Sequence, residues 1–192
     1  MKSVSKFYAM AAVALSLGLS NCAKEDPAKP LEIDQTRTAT IKGVVLINAD
    51  ITKAPADQKY SAAPIKATDF VVTIPYDAFN SGASGTYFLP KDKINYNAST
   101  GEFTITVPVG GNGTTDVSIV ISDFLGTLKK NVSGTDKTVD VIWLASKNIH
   151  KRAPSVSPGQ VVYVDDIKLT SIPAGAGATS DARDVAVDGS SI

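Results

Sequence analysis

The chain has 192 residues, 43% of them hydrophobic, with 19 Lys and Arg against 19 Asp and Glu and a single cysteine. This balance excludes the basic surplus that nucleic-acid binding needs, and one cysteine excludes an internal disulfide framework. A packed apolar core must therefore stabilise the fold. The acidic residues are 16 Asp and only 3 Glu, and Asp favours turns and strand ends over helix faces.

The first 21 residues have the pattern of a secretory signal peptide. Lys2 and Lys6 form a short basic start, and residues 7–19 form an apolar run interrupted only by small side chains. This run fits the apolar region of a signal peptide, and it is shorter than the roughly 20 residues that span a bilayer. The sequence therefore predicts an exported protein.

The signal peptide ends in Leu19-Ser20-Asn21-Cys22. This ending resembles the bacterial lipobox, in the relaxed form of Bacteroidetes-type lipoproteins, although Asn21 replaces the usual Gly or Ala. The resemblance implies that Cys22 becomes the first mature residue and carries a diacylglyceryl thioether and an N-acyl chain. Several acyl chains anchor firmly, at about 0.8 kcal/mol per buried CH₂, whereas one chain anchors marginally. The alternative is a cysteine that stands there by chance.

Residues 22–35 are predicted to form a lipidated flexible tether. Ala23-Lys24-Glu25-Asp26 resembles the surface-export signal of Bacteroidetes lipoproteins, and it also fits a solvated linker. Pro27 and Pro30 keep this segment non-helical. The expected location is the outer membrane, with the protein anchored by lipid on the extracellular face.

Alternating apolar and polar residues dominate the remaining chain, and no segment has the pattern of an amphipathic helix. β-Branched and aromatic residues concentrate in eight short segments bounded by turn residues. Loops are expected at residues 50–64, 77–85 and 126–137. The predicted strands cover residues 38–47, 70–75, 87–90, 94–96, 102–108, 116–124, 138–144 and 160–170.

Seven or eight such strands predict an all-β fold, a single antiparallel β-sandwich over residues 36–172. The alternative, one sheet covered by a helix, has no segment to supply the helix. Residues 173–192 are rich in Gly, Ala and Ser and are predicted to be a flexible tail. A short terminal strand at residues 185–187 is the other interpretation.

Three short motifs characterise this core: the Gly43-Val44 step, the turn glycine and alternating strand of residues 101–107, and the Pro158-Gly159 turn. They are similar to those of transthyretin-like (prealbumin-like) domains of the carboxypeptidase regulatory type, which occur in Bacteroidetes surface lipoproteins. The resemblance implies an immunoglobulin-like or transthyretin-like sandwich. The segment VVYVDDIKL, residues 161–169, also resembles the last strand of jelly-roll carbohydrate-binding modules, which are sandwiches too.

Catalytic chemistry is weakly represented. The only histidine, His150, precedes Lys151 and Arg152 in a predicted loop, so we expect it to be exposed, and no G-x-S-x-G turn presents a serine. A glycosidase would need two carboxyl groups across a cleft, and 16 aspartates make chance pairs inevitable. The sequence predicts a non-enzymatic protein. The candidate carboxyl groups for a glycosidase pair are Glu102, Asp116, Asp123, Asp140, Asp165 and Asp166.

No cofactor is predicted apart from a structural Ca²⁺ ion. A zinc site lacks Cys and His ligands. Asp165 and Asp166 are the candidate calcium ligands, because Ca²⁺ prefers carboxylate oxygens. The competing interpretation is a strand bulge, since the apolar phase shifts there between Val164 and Ile167.

Aromatic residues flank a polar loop that could bind a ligand. Tyr76, Phe79 and Tyr87 surround a Gly- and Ser-rich stretch, and aromatic rings beside such loops could stack on a sugar. The alternative is that these rings close the edge of the core. Trp143 shares a strand face with Val139 and is expected to be buried.

Together these patterns predict a lipid-anchored sandwich that binds a glycan or a surface protein. The alternative functions are a structural or accessory subunit of a fimbria-like surface assembly, in which sheet edges pair between chains, and a small hydrolase. An exposed aromatic pair would favour glycan binding, an unpaired strand would favour assembly, and two carboxyl groups facing a cleft would favour hydrolysis.

Overall fold

A computed structural model describes residues 33–111, 113–171 and 180–184, so the signal peptide and Cys22 lie outside the described residues. Those residues form an all-β fold with several antiparallel sheets and no α-helix, as the alternating pattern predicted. No helix in this part of the chain has the length and apolar character to cross a membrane.

Fourteen strands and five single-turn 3₁₀ segments make up the described structure. The 3₁₀ segments are Pro55–Asp57, Ala67–Asp69, Tyr76–Ala78, Lys91–Lys93 and Asn148–His150. The strands are β1 (Thr38–Ile47), β2 (Ser61–Ala62), β3 (Phe70–Pro75), β4 (Thr86–Phe88), β5 (Ile94–Tyr96), β6 (Glu102–Pro108), β7 (Thr115–Asp116), β8 (Ser118–Ile121), β9 (Phe124–Val132), β10 (Thr135–Trp143), β11 (Ser155–Val156), β12 (Val161–Tyr163), β13 (Ile167–Leu169) and β14 (Ala182–Asp184).

The first sheet is built around β1, whose β-branched residues alternate between a buried and a solvent-facing side. β6 pairs antiparallel with β1 from Thr38–Pro108 to Val44–Glu102, and β5 follows on the far side of β6. β2 pairs with the last residues of β1. The strands β1, β3, β5 and β6 have the bounds that the sequence predicted.

The predicted last strand is divided into β12 and β13, and both run parallel to β1 rather than antiparallel. No hairpin turn forces β12 and β13 to run antiparallel to β1, because almost the whole domain separates them from β1 in sequence. Lys42 pairs with Tyr163 and Val45 with Ile167, so two residues of β1 lie opposite three residues, 164–166. This extra residue is a β-bulge, as the shift in apolar phase predicted.

The second sheet has the order β4-β3-β8. Residues 115–121, which contain β7 and β8, also pair with residues 152–156 through β11 and an Ile119–Arg152 bridge. Phe70 of β3 lies 5.2 Å, between ring centroids, from Phe103 of β6. The two sheets therefore share one core, an arrangement compatible with a β-sandwich.

The prediction of a loop at residues 126–137 is wrong, because these residues belong to a long hairpin. β9 and β10 pair over nine positions, joined by Ser133 and Gly134, which both have positive φ. Such two-residue turns match the twist of paired strands. The sequence concealed this hairpin because only its base packs on the core, and its tip is polar on both faces.

The described structure extends into the segment predicted as a tail from residue 173. β14 pairs antiparallel with residues 141–143 of β10. The physical reason is a polar cluster around Asp181, described below, that holds this segment on the body. The alternative terminal strand at residues 185–187 lies outside the described residues.

The core consists mainly of aliphatic side chains from both sheets, and each stabilises the fold by about 1.5–3 kcal/mol on burial. Gly43 is required for close packing, because a Cβ atom there would lie 2.6 Å from the Phe103 ring. Trp143 is fully buried, as predicted. The largest fully buried side chains are Trp143, Phe70, Phe103, Ile41, Ile74, Ile105, Ile119, Ile121, Ile167, Leu169, Val45 and Val72.

Candidate functional site

The structure brings the three predicted aromatic residues together. Tyr76 opens the 3₁₀ segment that follows Pro75, and Tyr87 lies in β4 opposite Ile74. The Tyr87 ring centroid lies 6.4 Å from that of Tyr76 and 5.8 Å from that of Phe79. All three side chains are half-buried, and Phe79 and Tyr87 also pack against the core.

The rings of this aromatic cluster, Tyr76, Phe79 and Tyr87, are inclined to one another. Tyr76 is tilted by 54° and Phe79 by 85° relative to Tyr87. Such tilted and edge-to-face pairs stabilise each other, and neither pair offers the coplanar surface that best stacks on a sugar ring. Phe88, the next residue, is 66% exposed. The cluster closes one edge of the core, and Phe88 lies outside the cluster, on the opposite face of β4 from Tyr87.

Asp165 and Asp166 lie in the bulge between β12 and β13, with exposed side chains. The Arg152 guanidinium donates hydrogen bonds to both backbone carbonyls, Nε to Asp165 O at 2.9 Å and Nη2 to Asp166 O at 2.6 Å. The Asp166 carboxylate lies 3.4 Å from Lys168 Nζ. Within the described ranges, no three or more Asp, Glu, His or Cys residues group as metal ligands. The calcium site at Asp165 and Asp166 stays a prediction.

The prediction that His150 is exposed is wrong. Its side chain is only 6% exposed, and Nε2 lies 3.1 Å from Asp181 Oδ1. This pair does not meet the geometry of a hydrogen bond, so it is a close polar contact rather than an aligned hydrogen bond. Lys147 Nζ donates to the same Asp181 oxygen at 3.0 Å and to the Ser180 carbonyl at 2.9 Å.

Asp181 is the centre of this polar cluster. Its Oδ2 accepts a hydrogen bond from Thr170 N–H at 3.0 Å, and its backbone bonds Thr170 and Leu144. Burial alone would raise the pKa of the carboxyl, but the Thr170 N–H, the neighbouring His150 ring and the Lys147 ammonium outweigh it, so the pKa lies below its usual value. The side chain is therefore a buried, paired carboxylate that fixes residues 180–184 to the body.

The polar cluster does not form a catalytic triad in the described structure. The Ser180 hydroxyl donates to the Ala182 carbonyl and makes no hydrogen bond with His150. Sequence reasoning missed the cluster because Asp181 lies 31 residues beyond His150, in a Gly- and Ala-rich segment. The adjacent cations also made His150 read as solvent-exposed.

A second feature missed from sequence is the exposed edge of the first sheet. Val161 is 51% and Tyr163 74% exposed on β12, and Lys42 Nζ lies 6.0 Å from the Tyr163 ring centroid. Thr40 N–H donates to Gln160 O and Val164 N–H donates to Lys42 O, so by the alternation of a parallel pair the N–H and C=O groups of Val161 and Tyr163 point outward. Within the described residues these groups have no backbone partner.

β12 and the bulge that follows it differ in how well this edge is protected against pairing with another strand. Beside β12 the edge carries uncharged, apolar side chains. At the bulge, two backbone carbonyls are bound by Arg152, which joins the two sheets. Bulges and charges are common ways to block edge-to-edge pairing, so β12 is the unblocked half.

Comparisons of the chain with protein-family models, with curated proteins and with solved structures found no match. The transthyretin-like family therefore stays a prediction that depends on the motifs at Gly43-Val44, residues 101–107 and Pro158-Gly159. The coarser part of that prediction, an all-β fold of antiparallel sheets, is what the structure bears out.

Proposed function

We propose that the chain is a non-enzymatic lipoprotein, anchored to the outer membrane through Cys22 and facing outward, which binds a protein partner at the β12 edge. The basic start, the apolar run and the lone cysteine support the anchor. Lipid attachment would leave the sandwich as the part that meets other molecules, joined to the membrane by the tether of residues 22–35.

The observation that carries the choice of a protein partner is the exposed pair Val161 and Tyr163 on an edge strand. Exposed apolar side chains beside unpaired backbone groups favour binding of an extended peptide segment. Main-chain hydrogen bonds then give affinity, and alternate side chains give specificity. Tyrosine is also enriched at protein interfaces. A glycan would use aromatic faces and would have no use for the outward N–H and C=O groups.

Site-specific photocrosslinking tests this function. A photoreactive phenylalanine analogue replaces Tyr163 in the full chain, which is produced in its own cells and irradiated there. We expect a covalent adduct with one protein, identified by mass spectrometry, because this side chain would lie inside the interface. The matched control carries the same analogue at Lys137, at the far end of the hairpin.

Glycan arrays with the same full chain separate the proposal from its competitors. A crosslinked protein at position 163 with no glycan binding supports the proposed function. Glycan binding that is lost in Phe88→Ser, without any crosslink at position 163, would contradict it and favour the exposed Phe88 ring as the site. An adduct that contains only further copies of the chain would favour the assembly-subunit function.

The glycan candidate keeps one specific observation in its favour, the Phe88 ring, which is 66% exposed. No observation in the described residues favours the hydrolase candidate.

A further inference from the structure

The solvent-facing side of the first sheet carries a lysine beside the β12 edge. Thr104 of β6, Lys42 of β1 and Tyr163 of β12 lie side by side in one row across three strands. Lys42 Nζ lies over the Tyr163 ring, 6.0 Å from its centroid, so the lysine side chain extends toward the edge. Within the described residues Lys42 forms no ion pair. The β12 edge is therefore accompanied by a positive charge without a carboxylate partner in that part of the chain.

Two acidic residues near this row have partners of their own. Glu102 lies on β6, on the side of β1 away from β12, and its carboxylate accepts a hydrogen bond from the Thr100 hydroxyl at 3.1 Å. Asp166, in the bulge after β12, lies 3.4 Å from Lys168 Nζ. β12 itself contains no charged residue. A counter-charge for Lys42 at this edge has to come from the molecule that pairs there.

We propose that the protein partner of the β12 edge presents an extended segment with an Asp or Glu opposite Tyr163 and an apolar residue next to it, opposite Val162. This inference rests on the proposed function, because it names the chemistry of the segment that pairs at that edge. The acidic side chain would lie on the same sheet face as Lys42, with the Tyr163 ring between them. Opposite charges on one face of a sheet stabilise strand pairing, and like charges weaken it.

The apolar residue follows from the other face of β12. Successive side chains of a strand point to opposite faces, so Val162 points away from the face that carries Tyr163. Val162 and Val164 are half-buried and pack against the core. A partner side chain opposite Val162 would extend this apolar surface, and burial of a charged group there would be costly.

The ends of the open edge limit how the segment can pair. Before β12, Gln160 N–H donates to Ser157 O. After β12, the two bulge carbonyls accept hydrogen bonds from the Arg152 guanidinium. Between these ends, the outward groups are the N–H and C=O of Val161 and Tyr163. A segment that moves along the edge loses main-chain hydrogen bonds, so its acidic residue stays beside Tyr163.

The position of Lys42 allows pairing rather than blocking it. A lysine on an edge strand can prevent pairing with another chain, but Lys42 is on β1, one strand in from the edge. A strand added to β12 covers the edge and leaves the sheet face in water, so the ammonium group keeps its hydration. A second copy that paired through its own β12 would bring no carboxylate to Lys42, and charge therefore favours a different protein.

Photocrosslinking at position 163 of the full chain on intact cells, combined with changes at Lys42, tests this inference. We expect Lys42→Glu to lower the adduct yield by about fivefold or more, because repulsion replaces attraction. Lys42→Met keeps an apolar stem over the ring and should lower the yield by about threefold or less. Lys137→Glu makes the same charge change at the far end of the hairpin and is the matched control, with no change expected. Trp143 fluorescence shows that each variant is folded.

Salt dependence and the adduct itself give two further measurements. Between about 0.1 M and about 1 M NaCl the Debye length falls from about 10 Å to about 3 Å. The adduct yield should therefore fall with salt when Lys42 is present and stay constant in Lys42→Met. Mass spectrometry should find an Asp or Glu beside the attachment point on the partner.

The outcomes separate this inference from the proposed function. An adduct with another protein that decreases with salt, and is reduced more by Lys42→Glu than by Lys42→Met, supports both. An adduct with another protein whose yield is the same in all variants, or at both salt concentrations, overturns the inference and leaves the proposed function standing. Absence of an adduct, or an adduct of second copies only, overturns both.

Discussion

The aromatic cluster of Tyr76, Phe79 and Tyr87 and the polar cluster of Lys147, His150 and Asp181 hold the fold in different ways. The aromatic cluster joins residues that are close in sequence and stabilises one edge of the core by apolar contact. The polar cluster joins residues up to 34 apart through charges and hydrogen bonds. Only the polar cluster is therefore sensitive to protonation and to the loss of a single partner.

Removal of the central carboxylate should have the largest effect. Asp181→Ala leaves Lys147, His150 and the Thr170 N–H without their shared partner, and it should lower the free energy of unfolding by about 3 kcal/mol. Urea unfolding of the full chain, followed by Trp143 fluorescence, measures this. Asp184→Ala is the control, because it breaks a more exposed ion pair that contributes about 1 kcal/mol or less. Equal losses in the two variants would show that burial of Asp181 is unimportant.

Truncation of the aromatic cluster should have a smaller and pH-independent effect. Phe79→Ala removes a half-buried ring and should cost about 2 kcal/mol, below the 3–5 kcal/mol that is usual for a fully buried ring. The same urea titration at pH 7 and pH 4 should give the same loss. A loss that changes with pH would mean that the aromatic and polar clusters are coupled.

The smallest of the expected effects is a difference between the two clusters in how stability depends on pH. The folded-state pKa of Asp181 lies below its ordinary value of 3.8, so its contribution is fully present above that value. It is lost as the pH falls through the lower folded-state pKa. Urea midpoints from pH 6 to pH 2 should fall more steeply for the natural chain than for Asp181→Asn.

The other lowered carboxyl groups do not obscure that comparison. Asp34 and Asp50 are held low by hydrogen bonds from Thr36 and Thr52, and both remain in the Asp181→Asn variant. Parallel curves for the two proteins would contradict the assignment of Asp181 as a paired carboxylate.

The sequence predicted the fold well wherever alternation was strong. The bounds of β1, β3, β5 and β6 and the burial of Trp143 followed from β-branched residues and turn glycines. The hairpin tip was missed because a strand without a buried face has no alternation to detect. The parallel direction of β12 and β13 depends on the path of the whole chain, which local pattern does not record.

The candidate sites differ in the same way, because some depend on residues close in sequence and others on how distant strands pair. The meeting of Tyr76, Phe79 and Tyr87 could be predicted because all three lie within 12 residues of sequence. The partnership of His150 with Asp181 could not, because it depends on the pairing of β14 with β10. The exposure of Tyr163 is likewise set by which strand lies at the edge, and its sequence reads as an ordinary core strand.

The anchor at Cys22 is the claim on which the proposed location and exposure depend, and metabolic labelling tests it directly. Cells that produce the full chain are grown with radiolabelled palmitate, and the protein is isolated and counted. We expect label in the natural chain and none in Cys22→Ser, with the labelled chain in the outer-membrane fraction. Absence of label, or equal label in both proteins, would contradict it.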